Sequence, residues 1–438
     1  MTDDDRRQVR VQRALDQGRR LWDRGVQELG GVVSRGVRAV TASSSASASR
    51  PPKDGRAGTR RPDVNAIAAD PASYFNEQRR REAEELGHAN ILITGQTGVG
   101  KSTLVNAIFR AELAEEGVGR PVTQRVQRHD APAVPVTIFD TPGIELGDAK
   151  DAVIADFKTT ISDSRRGASE RFIHLAWYCV DAGQARIQGY DVDVIRALAD
   201  EVPVILVLTQ CVDQDRVVAL EAAIAAEGLP IQGVPVRTLA KVRRIGGETI
   251  EPTGLEELVR RTEQILPKAV KGAFVNAQGV VIGLKVKYAR AVVAASAAAA
   301  GAVGAAPIPV SDAIILMPVQ VGMLGGITAV FGIEMSAQTA TRLVVGLVGE
   351  GGVTQVGRRM AAGLLKVIPG VSVVSAGVAA ALTAALGEAH IQLCSEMLRR
   401  QGAGRPMLDA EMLAFLLDAY EKTFRRARTR RLGRTGRP

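Results

Sequence analysis

The feature that most constrains this chain is the segment 91–102, which reads Ile-Leu-Ile-Thr-Gly-Gln-Thr-Gly-Val-Gly-Lys-Ser. An apolar strand passes through a glycine-rich loop into a helix, which is the Gly-x-x-x-x-Gly-Lys-Ser pattern of a phosphate-binding loop. The glycines let the backbone turn N–H groups toward phosphates, Lys101 neutralises the β- and γ-phosphates, and Ser102 offers Mg²⁺ a hydroxyl. The segment therefore predicts binding of a nucleoside triphosphate. The expected contacts are Gly95, Gln96, Thr97, Gly98, Val99, Gly100, Lys101, Ser102 and Thr103.

Two later segments supply the partners that such a loop needs. The run 136–143, Val-Thr-Ile-Phe-Asp-Thr-Pro-Gly, predicts a strand ending in Asp140, which would act on Mg²⁺ through a bound water. The Gly143 N–H is expected to contact the γ-phosphate, and Thr123 to give the metal a second hydroxyl from a loop. Loops held by the γ-phosphate and released after hydrolysis form a switch. The predicted metal residues are Ser102, Thr123 and Asp140, and the predicted catalytic residues are Lys101, Thr123 and Gly143.

With these motifs in order, residues 88–265 resemble the translation-factor-related GTPases, in particular their Era/septin-like branch. The strand Ile-His-Leu-Ala-Trp-Tyr-Cys-Val-Asp at 173–181 is similar to one in bacterial Era-like GTPases that carry a hydrophobic domain, DUF697, after the GTPase domain. Its Trp177 and Tyr178 are expected to be packing residues. The resemblance implies that the ligands are GTP or GDP with Mg²⁺, held by the lysine, serine, threonine and aspartate described above.

The base-reading motif departs from this family. Members carry Asn/Thr-Lys-x-Asp, whose aspartate accepts two hydrogen bonds from guanine and whose lysine covers the base. This chain has Thr-Gln-Cys-Val-Asp at 209–213, so either the loop has one extra residue or its first positions are substituted. Asp213 is the predicted guanine reader, with Asp215 as the alternative. The other base contacts that the resemblance implies are Thr209, Gln210, Leu239 and Ala240.

The residue that follows Asp-Thr-Pro-Gly is Ile144, where many switch GTPases carry a water-orienting glutamine. An isoleucine neither orients water nor accepts a proton. We therefore expect slow GTP hydrolysis that is stimulated by a homo-oligomer, a protein activator or a membrane. Two alternatives remain at this point: a non-hydrolysing GTP-binding scaffold or membrane anchor, and a P-loop ATPase.

The chain has 438 residues, more than one core usually organises, and strands alternate with helices between residues 90 and 265. This rhythm predicts an α/β fold with a doubly wound, mainly parallel sheet, followed by an all-α hydrophobic helical domain. The expected domains are an N-terminal helix and disordered linker at 1–64, the GTPase domain at 65–268, a DUF697-like domain at 269–400, and an amphipathic helix with a basic tail at 401–438.

Three stretches, 291–311, 313–333 and 367–387, are each 21 residues long without a charged side chain. Their length is sufficient to span a bilayer, whereas their many small residues suit a soluble helical bundle equally well. Most of the net charge of +9 lies in residues 421–438, which contain eight basic residues and one acidic residue, Glu421. We expect a cytoplasmic protein that contacts membrane lipid, with 291–387 as the candidate integral segment, and no specific nucleic-acid binding.

Overall fold

The computed structural model describes residues 70–109, 127–131, 134–140, 150–166, 172–303, 308–309, 316–336, 338–340, 342–343, 373–374 and 376–432. The chain divides into two compact units. Among the described residues, one unit lies within Leu86–Ile282, and the other combines residues 70–85 with those from Gly283 onward. These limits differ from the predicted boundaries at 65 and 268. The N-terminal helix and linker predicted for 1–64 lie outside the described residues.

The Leu86–Ile282 unit is built on a sheet with the strand order β2-β3-β1-β4-β5-β6. Its strands are β1 (Ala89–Gly95), β2 (Gln127–Ala131), β3 (Val134–Asp140), β4 (Ile173–Asp181), β5 (Val204–Thr209) and β6 (Val236–Arg237). All neighbours are parallel except β2 and β3, which pair antiparallel. The predicted doubly wound, mainly parallel sheet is confirmed. The edge strand β2 was not predicted because its sequence, Gln-Arg-His-Asp-Ala, has no apolar pattern.

The described helices of this unit are α2 (Lys101–Phe109), α3 (Lys150–Arg166), α4 (Gly189–Ala199), α5 (Gln214–Ala226), α6 (Leu255–Ile265) and α7 (Lys268–Ala277), while α1 (Pro71–Glu85) belongs to the other unit. The first five agree with the predicted alternation of strands and helices, whereas α7 follows α6 directly and was not predicted. Two short strands, β7 (Arg243–Ile245) and β8 (Glu248–Ile250), form an antiparallel hairpin before α6. This hairpin was not predicted.

Consecutive residues of β4 serve opposite faces of the sheet, since side chains alternate along a strand. Tyr178 joins the apolar cluster that α3, α4 and α5 make with β4 and β5. Trp177 stacks on Phe109, with ring centroids 6.4 Å apart, and its Nε1–H donates to the Thr262 hydroxyl at 3.1 Å. Both residues are fully buried, so the expectation that they are packing residues is confirmed.

The second unit is helical, as predicted for the region after the GTPase domain. Its helices are α1, α8 (Ile282–Val303), α9 (Met317–Phe331), α10 (Ala376–Gly402) and α11 (Asp409–Leu432), and the short strands Ile308–Pro309 and Val373–Val374 pair antiparallel. Among the helices that the structure describes, none combines the length and the apolar character that crossing a membrane requires.

One glycine of α9 lets α1 approach closely. A Cβ on Gly325 would lie 3.0 Å from the Phe75 carbonyl oxygen and 3.1 Å from the Arg79 backbone nitrogen. A Cβ on the next residue, Gly326, would lie 3.2 Å from Cγ1 of Val292 on α8 and 3.8 Å from Cγ of Glu82. The chain segment just before the sheet thus packs on the helical unit.

Two buried polar side chains of the helical unit, Lys285 and His390, have partners on another helix. The ammonium of Lys285, which is 2% exposed, donates to the Phe331 carbonyl at 3.0 Å. His390 Nε2 lies 2.8 Å from the Thr328 hydroxyl, which itself donates to the Leu324 carbonyl. Burial lowers the pKa of His390 to about 4, so this imidazole is neutral at pH 7 and donates from Nε2.

Candidate nucleotide-binding site

The loop between β1 and α2 has the backbone that a phosphate-binding loop requires. Gly95, Gly98 and Gly100 have φ angles of 140°, 80° and 93°, which residues with a side chain rarely adopt. At Gly95 a Cβ would lie 2.2 Å from the Cys179 carbonyl oxygen, so only glycine fits beside β4. At Gly98 and Gly100 a Cβ would meet nothing within 4 Å. At these two positions the requirement is conformational, and the surface of the loop stays open.

Lys101 is the first residue of α2, and its ammonium group turns back into the loop. Nζ donates hydrogen bonds to the carbonyl oxygens of Gly95, at 3.0 Å, and Gln96, at 3.2 Å. The Leu104 N–H donates to the Gly100 carbonyl at 3.0 Å, and the N–H groups ahead of it are those that a helix leaves for a ligand. Positive charge is therefore concentrated where the sequence predicts phosphates.

A buried carboxylate that the sequence analysis missed fixes the second residue of the loop. Asp191, in the first turn of α4, is 2% exposed and accepts from the Gln96 amide at 3.1 Å. It also accepts from the Tyr178 hydroxyl at 2.7 Å and from the Gln188 N–H at 3.1 Å. Burial is the main cause that raises the pKa of Tyr178, so its hydroxyl stays a donor at neutral pH. The spacing Gln188-x-x-Asp191 resembles a capping box and was the available signal.

Thr209, the last residue of β5, ties the predicted base-reading loop to the phosphate-binding loop. Its hydroxyl donates to the Val99 carbonyl at 2.6 Å. The next residue, Gln210, has a φ angle of 55°, and the Cys211 N–H donates to the Thr238 carbonyl at 3.1 Å. These two bonds place the three predicted loops next to one another at the carboxyl edge of the sheet: 95–103, 209–213 and 239–240.

Asp213 is engaged within its own helix. One carboxylate oxygen accepts from the N–H groups of Asp215, at 3.1 Å, and Arg216, at 3.2 Å, and caps α5. The other oxygen lies 3.3 Å from Nε of Arg216. If Thr209 is the first residue of the family motif Asn/Thr-Lys-x-Asp, the fourth position, where the aspartate is expected, is Val212. This residue is half-buried. Both carboxylate oxygens of Asp213 thus already have partners, and its role as guanine reader stays a prediction.

The other two predicted base contacts lie in the loop after β6. Leu239 is buried, and its N–H and carbonyl pair with Thr253, both at 3.0 Å, so its backbone groups are already used. Ala240 is half-buried next to it. Among the described residues, the Ala240 N–H has no backbone acceptor, whereas the Leu239 N–H does. Of these two residues, Ala240 is therefore the one whose N–H could bind a base.

The predicted Mg²⁺ residues are only partly described. Ser102 is the second residue of α2, and Asp140 ends β3, where its neighbour across the sheet is Ile93 of β1. Both backbones lie at the edge that carries the phosphate-binding loop, and hydroxyl and carboxylate oxygens fit Mg²⁺. Thr123 and Gly143 lie outside the described residues. Within the described ranges no cluster of three or more His, Cys, Asp or Glu side chains could hold another metal.

Comparisons with known proteins agree with this architecture. Residues 90–210 match the family model of the 50S ribosome-binding GTPases, and residues 277–416 match the model of the domain of unknown function DUF697. The fold and the loop define the class, a P-loop GTPase domain. The chain carries this GTPase domain and, after it, a DUF697 domain.

Curated relatives match part of the chain. Septin-1 of Drosophila melanogaster is 23% identical over 230 residues, which are 46% of this chain and 62% of that protein. Cell division control protein 10 of Saccharomyces cerevisiae is 27% identical over 170 residues, 32% of this chain and 53% of that protein. The chain thus spans between about half and 62% of the length of these relatives.

Two solved structures also match part of the chain, both with low scores. The match to a probable GTP-binding protein engB covers 40% of this chain and 98% of the engB chain, with 19% identity and a TM-score of 0.31. The septin GTPase domain from Chlamydomonas reinhardtii covers 42% of this chain and 90% of its own, with 14% identity and a TM-score of 0.31.

Proposed function

We propose that this protein binds GTP with Mg²⁺, hydrolyses it slowly, and acts as a nucleotide switch at the cytoplasmic face of a membrane. The observation that carries the proposal is the Lys101 ammonium, held 3.0 Å and 3.2 Å from the carbonyl oxygens of Gly95 and Gln96. Phosphate oxygens are stronger acceptors than these neutral carbonyls, since charge-assisted hydrogen bonds are roughly twice as strong as neutral ones. When a nucleotide binds, its phosphate oxygens would therefore replace these carbonyl oxygens as acceptors for the Lys101 ammonium group.

Ser102 and Asp140 are the residues that would hold Mg²⁺. When bound, the ion would neutralise charge on the β- and γ-phosphates. The protein contributes the positioning: the loop N–H groups and the Lys101 ammonium fix the phosphates, and the Gln96–Asp191 hydrogen bond fixes the loop. Thr123 and Gly143 would sense the γ-phosphate from the loops that precede and follow β3, which makes the two loops the moving part of the switch.

Slow hydrolysis follows from Ile144. A side chain without a polar atom leaves the attacking water without an orienting group, so the intact site needs one from elsewhere. We propose that a second copy of the chain, a protein activator or a membrane surface supplies or repositions this group. The same substitution favours the second candidate function, a GTP-binding scaffold that never hydrolyses its nucleotide.

Membrane contact is proposed for α11 and the residues that follow it. The helix continues to Leu432, so the arginines between 425 and 431 belong to a helix rather than to an extended tail. Near an anionic leaflet each arginine adds about 1 kcal/mol of attraction, and several on one helix suffice for peripheral binding.

The test is GTP turnover by the full chain, measured with neutral vesicles and with vesicles that contain phosphatidylserine. We expect slow turnover alone, stimulation by the anionic vesicles, and tighter vesicle binding with a GTP analogue than with GDP. Turnover on the order of tens per second by the isolated monomer would contradict the reading of Ile144. Tight GTP binding without hydrolysis under any of these conditions would instead support the scaffold.

Base selectivity has a separate test in Asp213→Asn. An aspartate that reads guanine accepts two hydrogen bonds, and an asparagine in its place pairs with xanthine instead. The variant should lose affinity for GTP and gain affinity for xanthosine triphosphate. Unchanged GTP binding would mean that Asp213 only caps α5, and equal binding of ATP and GTP by the wild type would support the ATPase alternative.

A further inference from the structure

We propose that Arg243, the first residue of the β7–β8 hairpin, forms one face of the nucleobase site and replaces the lysine that this chain lacks at Gln210. The inference rests on the proposed nucleotide binding and adds a residue that sets affinity for the base. Its basis is a single contact: Nη2 of Arg243 donates to the Gln210 side-chain oxygen at 2.8 Å.

The location of the base follows from the connections of the phosphate-binding loop. In open α/β sheets the ligand lies outside the carboxyl ends of the strands. The phosphates occupy residues 95–102, so the nucleoside extends to a neighbouring loop at the same edge. The hydrogen bond from Thr209 to Val99 places the loop after β5 next to the phosphate-binding loop. We therefore infer that Gln210, which follows Thr209, contacts the base.

The hairpin is fixed to this loop at its root. Thr238 donates to the Leu208 carbonyl from its N–H, at 2.7 Å, and from its hydroxyl, at 2.9 Å. Leu239 then forms a bridge with Thr253, on the far side of the hairpin. These bonds hold both ends of the segment 240–252 at the carboxyl edge of the sheet. Arg243 is thus positioned by backbone hydrogen bonds and not by a long free loop.

The charge of Arg243 is not neutralised within the described residues, because its guanidinium is bonded to a neutral amide and to no carboxylate. Three arginines near the hairpin differ: Arg237 pairs with Glu221, and Arg260 and Arg261 pair with glutamates on α6. Gln210 holds the guanidinium through one edge of its planar group. The planar faces remain for a flat, electron-rich partner, and a guanidinium stacks well on such rings.

The experiment measures dissociation constants of GDP and of inorganic triphosphate for the full-length protein with Mg²⁺. For Arg243→Ala we expect GDP affinity to fall by about 3- to 30-fold, the range of one cation–π contact. The affinity for inorganic triphosphate should be unchanged, because the phosphate-binding loop is intact. The matched control is Arg244→Ala, which removes the neighbouring exposed arginine of β7 and should bind both ligands as the wild type does.

A rescue variant separates base contact from a structural role of the hairpin. Gln210→Lys combined with Arg243→Ala restores the family's lysine and should recover most of the lost GDP affinity. Wild-type GDP affinity in Arg243→Ala would overturn the proposal, as would an equal loss of triphosphate affinity or a double variant without recovery. A wild-type protein that binds neither ligand would overturn the proposed function itself, and this inference with it.

Discussion

Glu82 of α1 offers a quantitative test of how the segment before the sheet is attached to the helical unit. Burial, with a smaller contribution from Glu85, raises the pKa of Glu82 to about 7 from the ordinary value of 4.5. The helix that α1 packs on, α9, carries no titratable side chain. On α1 itself, Nε of Arg79 and one carboxylate oxygen of Glu85 are buried without a hydrogen-bond partner among the described residues. Burial and the Glu85 charge thus both disfavour the charged form of Glu82, and no cation is among the causes that act on its pKa.

The sign and size of the effect follow from proton linkage. Between pH 4.5 and about 7 the docked helix holds the Glu82 proton more tightly than the undocked helix does. The packing of α1 on α9 therefore becomes less favourable as the pH rises through this window, and its free energy is constant above it. Moving a pKa from 4.5 to about 7 corresponds to about 3.4 kcal/mol in total, or roughly a 300-fold change in the opening equilibrium.

Hydrogen exchange of the peptide 71–85, measured by mass spectrometry and normalised to unstructured-peptide rates, reports this equilibrium. In the wild type we expect protection to fall by up to about 100-fold between pH 5 and pH 8. Glu82→Gln should remove this dependence and protect α1 better than the wild type at pH 8. Glu84→Gln, which changes a carboxylate that is 68% exposed, is the control and should behave as the wild type. The same pH dependence in Glu82→Gln and wild type would refute the reasoning.

Two further predictions concern the loop itself. Gly95→Ala should lower the stability of the GTPase domain by at least about 2 kcal/mol in thermal denaturation, since its Cβ would lie 2.2 Å from the Cys179 carbonyl oxygen; Gly98→Ala, with open space around it, should cost only about 1–2 kcal/mol. A similar loss in both would contradict the steric argument. Thr209→Val should weaken GDP binding by about 5- to 10-fold in titration calorimetry, because the Val99 carbonyl loses its partner. Wild-type affinity would show that this hydrogen bond does not shape the site.

Much of the GTPase domain could be predicted from the sequence because its signals are local. The apolar run before Gly95 and the alternation of strands with helices define the parallel sheet, and the glycine spacing defines the loop. The edge strand β2 has no apolar periodicity, and its place comes from pairing with β3. The hairpin that carries Arg243 is mostly polar and exposed, so periodicity gave no indication of it.

Long-range contacts account for the other differences. Asp191 resembles an ordinary helix-capping residue in the sequence, and only the fold shows that it holds Gln96, which is 95 residues away. The helix α1 precedes the sheet directly, yet it packs on α9 through Gly325, more than 200 residues later. The register after Thr209 was left open by the sequence, and the structure shows Asp213 capping α5. Neither propensity nor spacing contains these contacts.

The central claim is that residues 95–102 hold the phosphates of a nucleotide around the Lys101 ammonium. The direct measurement is the dissociation constant of GTP with Mg²⁺ for wild type and Lys101→Ala, with thermal denaturation of both to show that each is folded. We predict that the variant keeps the wild-type melting temperature without nucleotide and loses at least about 100-fold in affinity, as expected for hydrogen bonds to a charged group. GTP affinity equal to that of the wild type in a folded Lys101→Ala would contradict the account.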